Sequence, residues 1–130
     1  MNKSFWIADD DPDDRMIIKE AFEENFFDNE LTFFEDGEKV LIKFKECGYG
    51  NCPSLLILDL NMPRVNGIEL LLTLKKDSNT KNIPIVILST SRNELDREKV
   101  LRLGADDFIT KPFSFDKMIK ITKELIEKYG

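Results

Sequence analysis

Five short segments, none longer than six residues, carry the strand signal along this chain: Ser4–Ala8, Asn29–Phe34, Leu55–Leu58, Ile85–Leu88 and Asp107–Thr110. Each is too short for a globular helix and reads as a strand. Leu55–Leu58 and Ile85–Leu88 contain no polar residue, the pattern of strands buried on both faces. The segments between them carry apolar residues at helical spacing. One helix starts at Pro12 and carries Ile17, Ala21 and Phe22; a second, Glu38–Glu46, buries Val40, Leu41 and Phe44. A third runs from Ile68 to about Lys76, with Leu71, Leu72 and Lys75 at helical spacing. A fourth spans about Glu94 to Leu103 and is closed by Gly104, a good C′ residue. The last runs from Phe115 to about Lys128, with Met118, Ile121, Leu125 and Ile126 facing inward. Asp36-Gly37, Gly48–Asn51 with Pro53, and Asp77–Asn82 supply turns and loops. Phe22, Phe26, Phe27, Phe33 and Phe34 read as core. Regular alternation of strand and helix predicts an α/β fold, a five-stranded parallel sheet with helices on both faces.

In a parallel sheet the carboxyl ends of all strands share one edge, and ligands bind there. The first strand ends in Asp9-Asp10-Asp11, the third in Asp59, the fourth in Ser89 and the fifth in Lys111-Pro112. Asp11 suits an N-cap, Pro12 the first helical position, and Asp13 and Asp14 the first turn, where the helix dipole favours acids. Asp9 and Asp10 precede the cap and need another explanation.

Composition narrows the chemistry. The chain has 130 residues, 42% of them apolar, enough for one domain with a hydrophobic core. Its net charge of -6 makes it a poor direct binder of nucleic acid. It has no histidine, which removes the commonest general base and metal ligand. Cys47 and Cys52 are not spaced as a redox or zinc motif and read as reduced thiols of a cytoplasmic protein. No signal peptide or membrane-length apolar stretch is present.

Three carboxylates at one edge repel one another unless a cation neutralises them. With oxygen donors and no histidine, Mg2+ is the natural candidate. Metal, hydroxyl and ammonium together suit a phosphoryl group, and a carboxylate among them can act as nucleophile and become an aspartyl phosphate.

These pieces, ADDD, LDLNMPRVNG, ILSTS and DDFITKPF, in this order on successive strand ends, resemble the receiver domain of response regulators from about Phe5 to Ile126. LDLNMP followed by glycine, with IPIVILSTS downstream, is similar to stand-alone receivers of the chemotaxis-regulator or phytochrome-associated kind. The resemblance implies a flavodoxin-like sheet in the order 2-1-3-4-5, filling residues 1–130 with a single receiver and no output domain. It implies that Asp59 accepts the phosphoryl group, that Asp10 binds Mg2+ directly, with Asp9 helping directly or through a water, and that Asn61 adds its backbone carbonyl. Lys111 would pair with Asp59 and then with the phosphoryl oxygens. Ser89 would donate its hydroxyl to the phosphoryl group, Phe108 would be the switch aromatic, and Pro112 would follow a cis bond.

The function expected is a phosphoacceptor switch in a two-component or phosphorelay pathway. It would be loaded by a sensor histidine kinase or phosphotransfer protein and read by a downstream protein. It would not be an enzyme beyond its own phosphorylation and slow autodephosphorylation. Two rivals remain at this stage. An aspartyl-nucleophile phosphatase would want a second Asp two positions after Asp59, where Asn61 stands. A receiver-like module that binds partners without phosphorylation would not need Asp9, Asp10, Asp59, Ser89 and Lys111 intact. Phe113 and Phe115, beside the same edge, are candidates for a partner-binding face.

Overall fold

The computed structural model describes residues 4–47 and 52–130. The loop expected at Gly48–Asn51 lies outside the described residues. Five strands and five helices alternate: β1 (Ser4–Ala8), α1 (Pro12–Glu24), β2 (Glu30–Phe34), α2 (Gly37–Cys47), β3 (Leu55–Leu58), α3 (Gly67–Lys76), β4 (Ile85–Ser89), α4 (Glu94–Arg102), β5 (Asp107–Thr110) and α5 (Phe115–Tyr129). All strand pairs are parallel, and the sheet order is β2-β1-β3-β4-β5, as the resemblance implied.

Alternate residues of a strand face opposite sides of a sheet, so the central strands feed two separate cores. Trp6, Leu56, Leu58, Ile85 and Ile87 pack with Val40, Phe44, Leu70, Leu71, Leu74, Val100 and Phe108, under α2, α3 and α4. Phe5, Ile7, Leu55, Ile57, Val86 and Leu88 pack with Ile18, Ala21, Phe22, Met118 and Leu125, under α1 and α5. Asn25 ties those last two helices together, donating to the Ile119 carbonyl at 2.9 Å and to Thr122 Oγ1 at 2.8 Å.

The phase of α1 differs from expectation. Ile18, not Ile17, joins Ala21 and Phe22 on the buried face, and Ile17 is exposed. Two adjacent apolar residues fit a helix stripe in either phase, and contact with α5 decides between them. Phe26 also departs from the core reading, with its side chain 91% exposed. It occupies the left-handed C′ position after α1, with φ of 56°, where glycine is usual. Phe26 N–H donates to the Glu23 carbonyl and Phe27 N–H to the Phe22 carbonyl, the paired bonds of a Schellman motif. That turn throws Phe26 outward and folds Phe27 back onto Phe22 and Phe5, with ring centroids 5.3 and 4.8 Å apart.

Candidate phosphoacceptor site

The strand register brings the acids together. Ala8 of β1 pairs with Leu58 of β3, so Asp9 and Asp59 are the next residues along neighbouring strands. Asp59 N–H donates to the Ala8 carbonyl at 3.0 Å. Ser89 pairs with Thr110, and Lys111 follows, its N–H donating to the Ser89 carbonyl at 2.7 Å. Asp9, Asp59, Ser89 and Lys111 are all buried, whereas Asp10 is exposed.

One ammonium knits the cluster. Lys111 Nζ lies 2.7 Å from Asp9 Oδ2, 3.1 Å from Asp59 Oδ2 and 2.8 Å from Asp14 Oδ2. Asp9 Oδ1 also accepts the Asp11 N–H at 2.9 Å, and Arg15 Nη1 donates to the Asp9 carbonyl at 2.7 Å, fixing the start of α1 against the end of β1. Asp11 is the N-cap, accepting from Asp13 N–H, as its position suggested. Asp14 does more than favour the helix start. It faces Lys111 because it shares a stripe with Ile18, Ala21 and Phe22, a signal present in the sequence once the phase of α1 is known.

The loop after Asp59 is held from the neighbouring loop. Arg64, at φ of 64°, places Nη1 2.6 Å from Oδ2 of buried Asp36. Gly37 N–H donates to the Val65 carbonyl, and a Cβ on Gly37 would stand 2.2 Å from that oxygen. Burial opposes ionisation of Asp36, but the Lys39 N–H and the Arg64 guanidinium outweigh it and hold its pKa below the ordinary value. Locally Asp36-Gly37 reads only as a turn, since nothing nearby in sequence announces that Arg64 reaches back to it.

Ser89 Oγ accepts the Ser91 N–H at 3.2 Å, so it is tied to its own loop. Phe108 is only 5% exposed and sits in the core on the α4 side, with Arg97 donating to its carbonyl at 2.9 Å. The ring therefore lies inward. The Lys111–Pro112 bond is trans, as are all peptide bonds among the described residues, in contrast to the cis bond expected. Trans is the intrinsic preference of X–Pro by about 0.5–1 kcal/mol, and the cluster around Lys111 forms without the alternative. Phe113 is 94% exposed beside this edge, with the Arg92 guanidinium 5.0 Å from its ring centroid.

Asp9, Asp10 and Asp59 each offer a carboxylate oxygen, all within 4.8 Å of one another, hard oxygen donors of the kind that could hold a divalent cation. Burial raises the pKa of Asp9 to about 6 against the lowering effect of Lys111 and the Asp11 N–H. Burial likewise opposes the charge on Lys111, but its bonds to Asp14 and Asp9 prevail and hold its pKa above the ordinary lysine value. Because folded Asp9 holds its proton more tightly than the unfolded chain does, its contribution to metal-free stability grows as pH falls through about 6. A metal held by Asp9 would have to displace that proton. Magnesium affinity is therefore expected to be flat above pH 7 and to fall below pH 6 by up to roughly ten-fold per unit. Calorimetric titration across that range checks this; constant affinity down to about pH 4.5 would remove Asp9 from the ligand set.

Fold and strand-end cluster agree with the family match: residues 5–123 match the response regulator receiver domain. The chain belongs to that family, the signalling modules of two-component systems. Among curated relatives, it is 30% identical to response regulator Rcp1 of Synechocystis sp., over 93% of this chain and 84% of that protein. It is 28% identical to the probable methanogenesis regulatory protein FilR2 of Methanothrix harundinacea, over 93% and 79% respectively. It is 37% identical to response regulator RR06 of Streptococcus pneumoniae, but spans only 52% of that protein. Among solved structures, the phosphorylated cyanobacterial phytochrome response regulator RcpA superposes with a TM-score of 0.88 at 32% identity, covering 99% of this chain and 94% of that one. The Mn(2+)-bound form of Rcp1 superposes with a TM-score of 0.82 at 29% identity, covering 95% and 91%. Phytochrome-associated receivers are thus among its structural neighbours, in line with the subgroup resemblance. No helix among the described residues is long and apolar enough to cross a membrane.

Proposed function

We propose that this chain is a magnesium-dependent phosphoacceptor switch, phosphorylated on Asp59 by a sensor histidine kinase or phosphotransfer protein and read by a downstream protein. The observation that carries it is buried Asp59 bonded to Lys111, with Asp9 and Asp10 close enough to share a cation with it. That RcpA has been captured phosphorylated, and Rcp1 with manganese, supports the same reading.

Asp9, Asp10 and Asp59, with the Asn61 carbonyl, would hold magnesium. When bound, the ion neutralises the charge of incoming phosphoryl oxygens. An Asp59 carboxylate oxygen attacks phosphorus, the bond from phosphorus to the donor nitrogen or oxygen breaks, and that leaving group carries away the electron pair. The Lys111 ammonium, bonded to Asp9, Asp14 and Asp59, would turn a donor to the transferred oxygens. Ser89 would leave the Ser91 N–H and donate its hydroxyl to one of them, drawing the loop after β4 toward the site. Since Phe108 is already inside, this movement would act on its packing under α4 rather than on entry of the ring.

Incubation with acetyl phosphate and magnesium, followed by intact mass measurement, is expected to show one added phosphoryl group. Asp59→Ala should abolish it. A gain that persists in the variant would move the acceptor elsewhere.

A further inference from the structure

Lys111 is bound more fully than a pairing with Asp59 requires. An ammonium has three N–H donors, and here three carboxylates take them. Asp14 is the unusual member. It comes from the first turn of α1 rather than from a strand end, and its side chain stays 30% exposed. It stands at a cavity of about 40 Å³ that it shares with Lys111, Ile17, Ile18, Pro112 and Met118. Its bond to Nζ, at 2.8 Å, is shorter than the 3.1 Å of Asp59. Since both touch one nitrogen, the bonded oxygens of Asp14 and Asp59 lie within about 6 Å of each other.

A phosphoryl group on Asp59 changes the demands on that nitrogen. It brings three acceptor oxygens and up to two negative charges in place of the one that Asp59 gives up on phosphorylation, and at least one Lys111 donor has to turn to it. With all three donors engaged, a bond to a resting carboxylate must lengthen. Asp9 and Asp59 belong to the set that would hold the metal, whose charge compensates them. Asp14 lies outside that set, and its charge opposes the newcomer.

We propose that Asp14 is the resting counter-ion of Lys111, a positioning residue that competes with the phosphoryl group for the ammonium and so holds down occupancy of the phosphorylated state. This rests on Asp59 being the phosphoacceptor. Asp14 fixes the ammonium on the α1 side of the site in the resting protein and repels the oxyanion that would take it over. Asparagine at this position keeps an acceptor oxygen of the same shape and removes the charge.

The test uses the whole chain with magnesium and beryllofluoride, a phosphoryl mimic, measured by calorimetry. Asp14→Asn is expected to bind beryllofluoride about ten-fold more tightly than wild type, and Asp14→Glu to restore the wild-type value. In metal-free protein labelled with 15N-lysine, the Lys111 ammonium protons should exchange with water several-fold faster in Asp14→Asn. Equal or weaker beryllofluoride binding by Asp14→Asn, beside a normally binding wild type, overturns the role of Asp14 alone. Unchanged exchange overturns it too. Wild type that takes up no beryllofluoride overturns the phosphoacceptor reading, and the proposed competition with it.

Discussion

Replacing Lys111 with alanine is expected to cost about 3 kcal/mol of folding stability near pH 8 without divalent cations. Among the described residues the lysine is the one cation paired with the carboxylates of Asp9 and Asp59, both buried, and it also pairs with Asp14 at the margin. Deleting it leaves two buried carboxylates without a counter-charge, and breaking such a pair costs more than the pair itself was worth. The loss should be conditional. Without Lys111 to hold it down, Asp9 takes its proton at higher pH than in wild type, so the gap should narrow as the pH falls from 8 toward about 6. Magnesium should stabilise the variant more than wild type, because it would supply the missing charge at the same acids. Urea unfolding with and without magnesium measures both effects. A variant as stable as wild type in chelator would mean that the acids are compensated from elsewhere.

Gly67→Ala is expected to lose about 3 kcal/mol, at the upper end for overpacking. A Cβ there would stand 2.3 Å from the Asp59 carbonyl oxygen and 2.9 Å from Leu60 Cα, and both are backbone. Nothing flexible is available to yield, and the Gly67 N–H bond to the Leu60 carbonyl at 3.0 Å holds the two segments together. The loop that carries Asp59 and Asn61 would have to move. The same substitution should therefore weaken magnesium binding as well as folding, which separates it from an ordinary helix-start change. Denaturation and metal titration of one sample check the pair; full stability with unchanged affinity would show that the loop has room to spare.

The architecture was legible because β3 is wholly apolar, β4 nearly so, and the central strands end in the residues that matter. Asp9, Asp59, Ser89 and Lys111 fall on the sheet edge by strand register alone. What escaped was set by contacts distant in sequence. Ile17 and Ile18 are equally apolar, and only packing beneath α1 chooses between them. With that phase undecided, Asp14 had a sufficient explanation in the helix dipole, and its bond to Lys111 stayed hidden. Phe26 is large and apolar, but backbone geometry overrules hydrophobicity at a helix C′ position. Arg64 reaches Asp36 across two loops, a pairing that no local pattern encodes.

Trp6 is the only tryptophan, buried against Phe34 and Phe44, with centroids 5.3 and 4.6 Å away. Its neighbours lie wholly on one side of the sheet; the Phe5, Phe22 and Phe27 rings occupy the other. Fluorescence of this chain is thus a one-sided witness. It follows the layer beneath α2 and α3 and is blind to early loosening of α1 from α5. If far-UV ellipticity decays before the tryptophan emission shifts, the α1–α5 layer has melted first, and a single optical probe would have reported an intact protein.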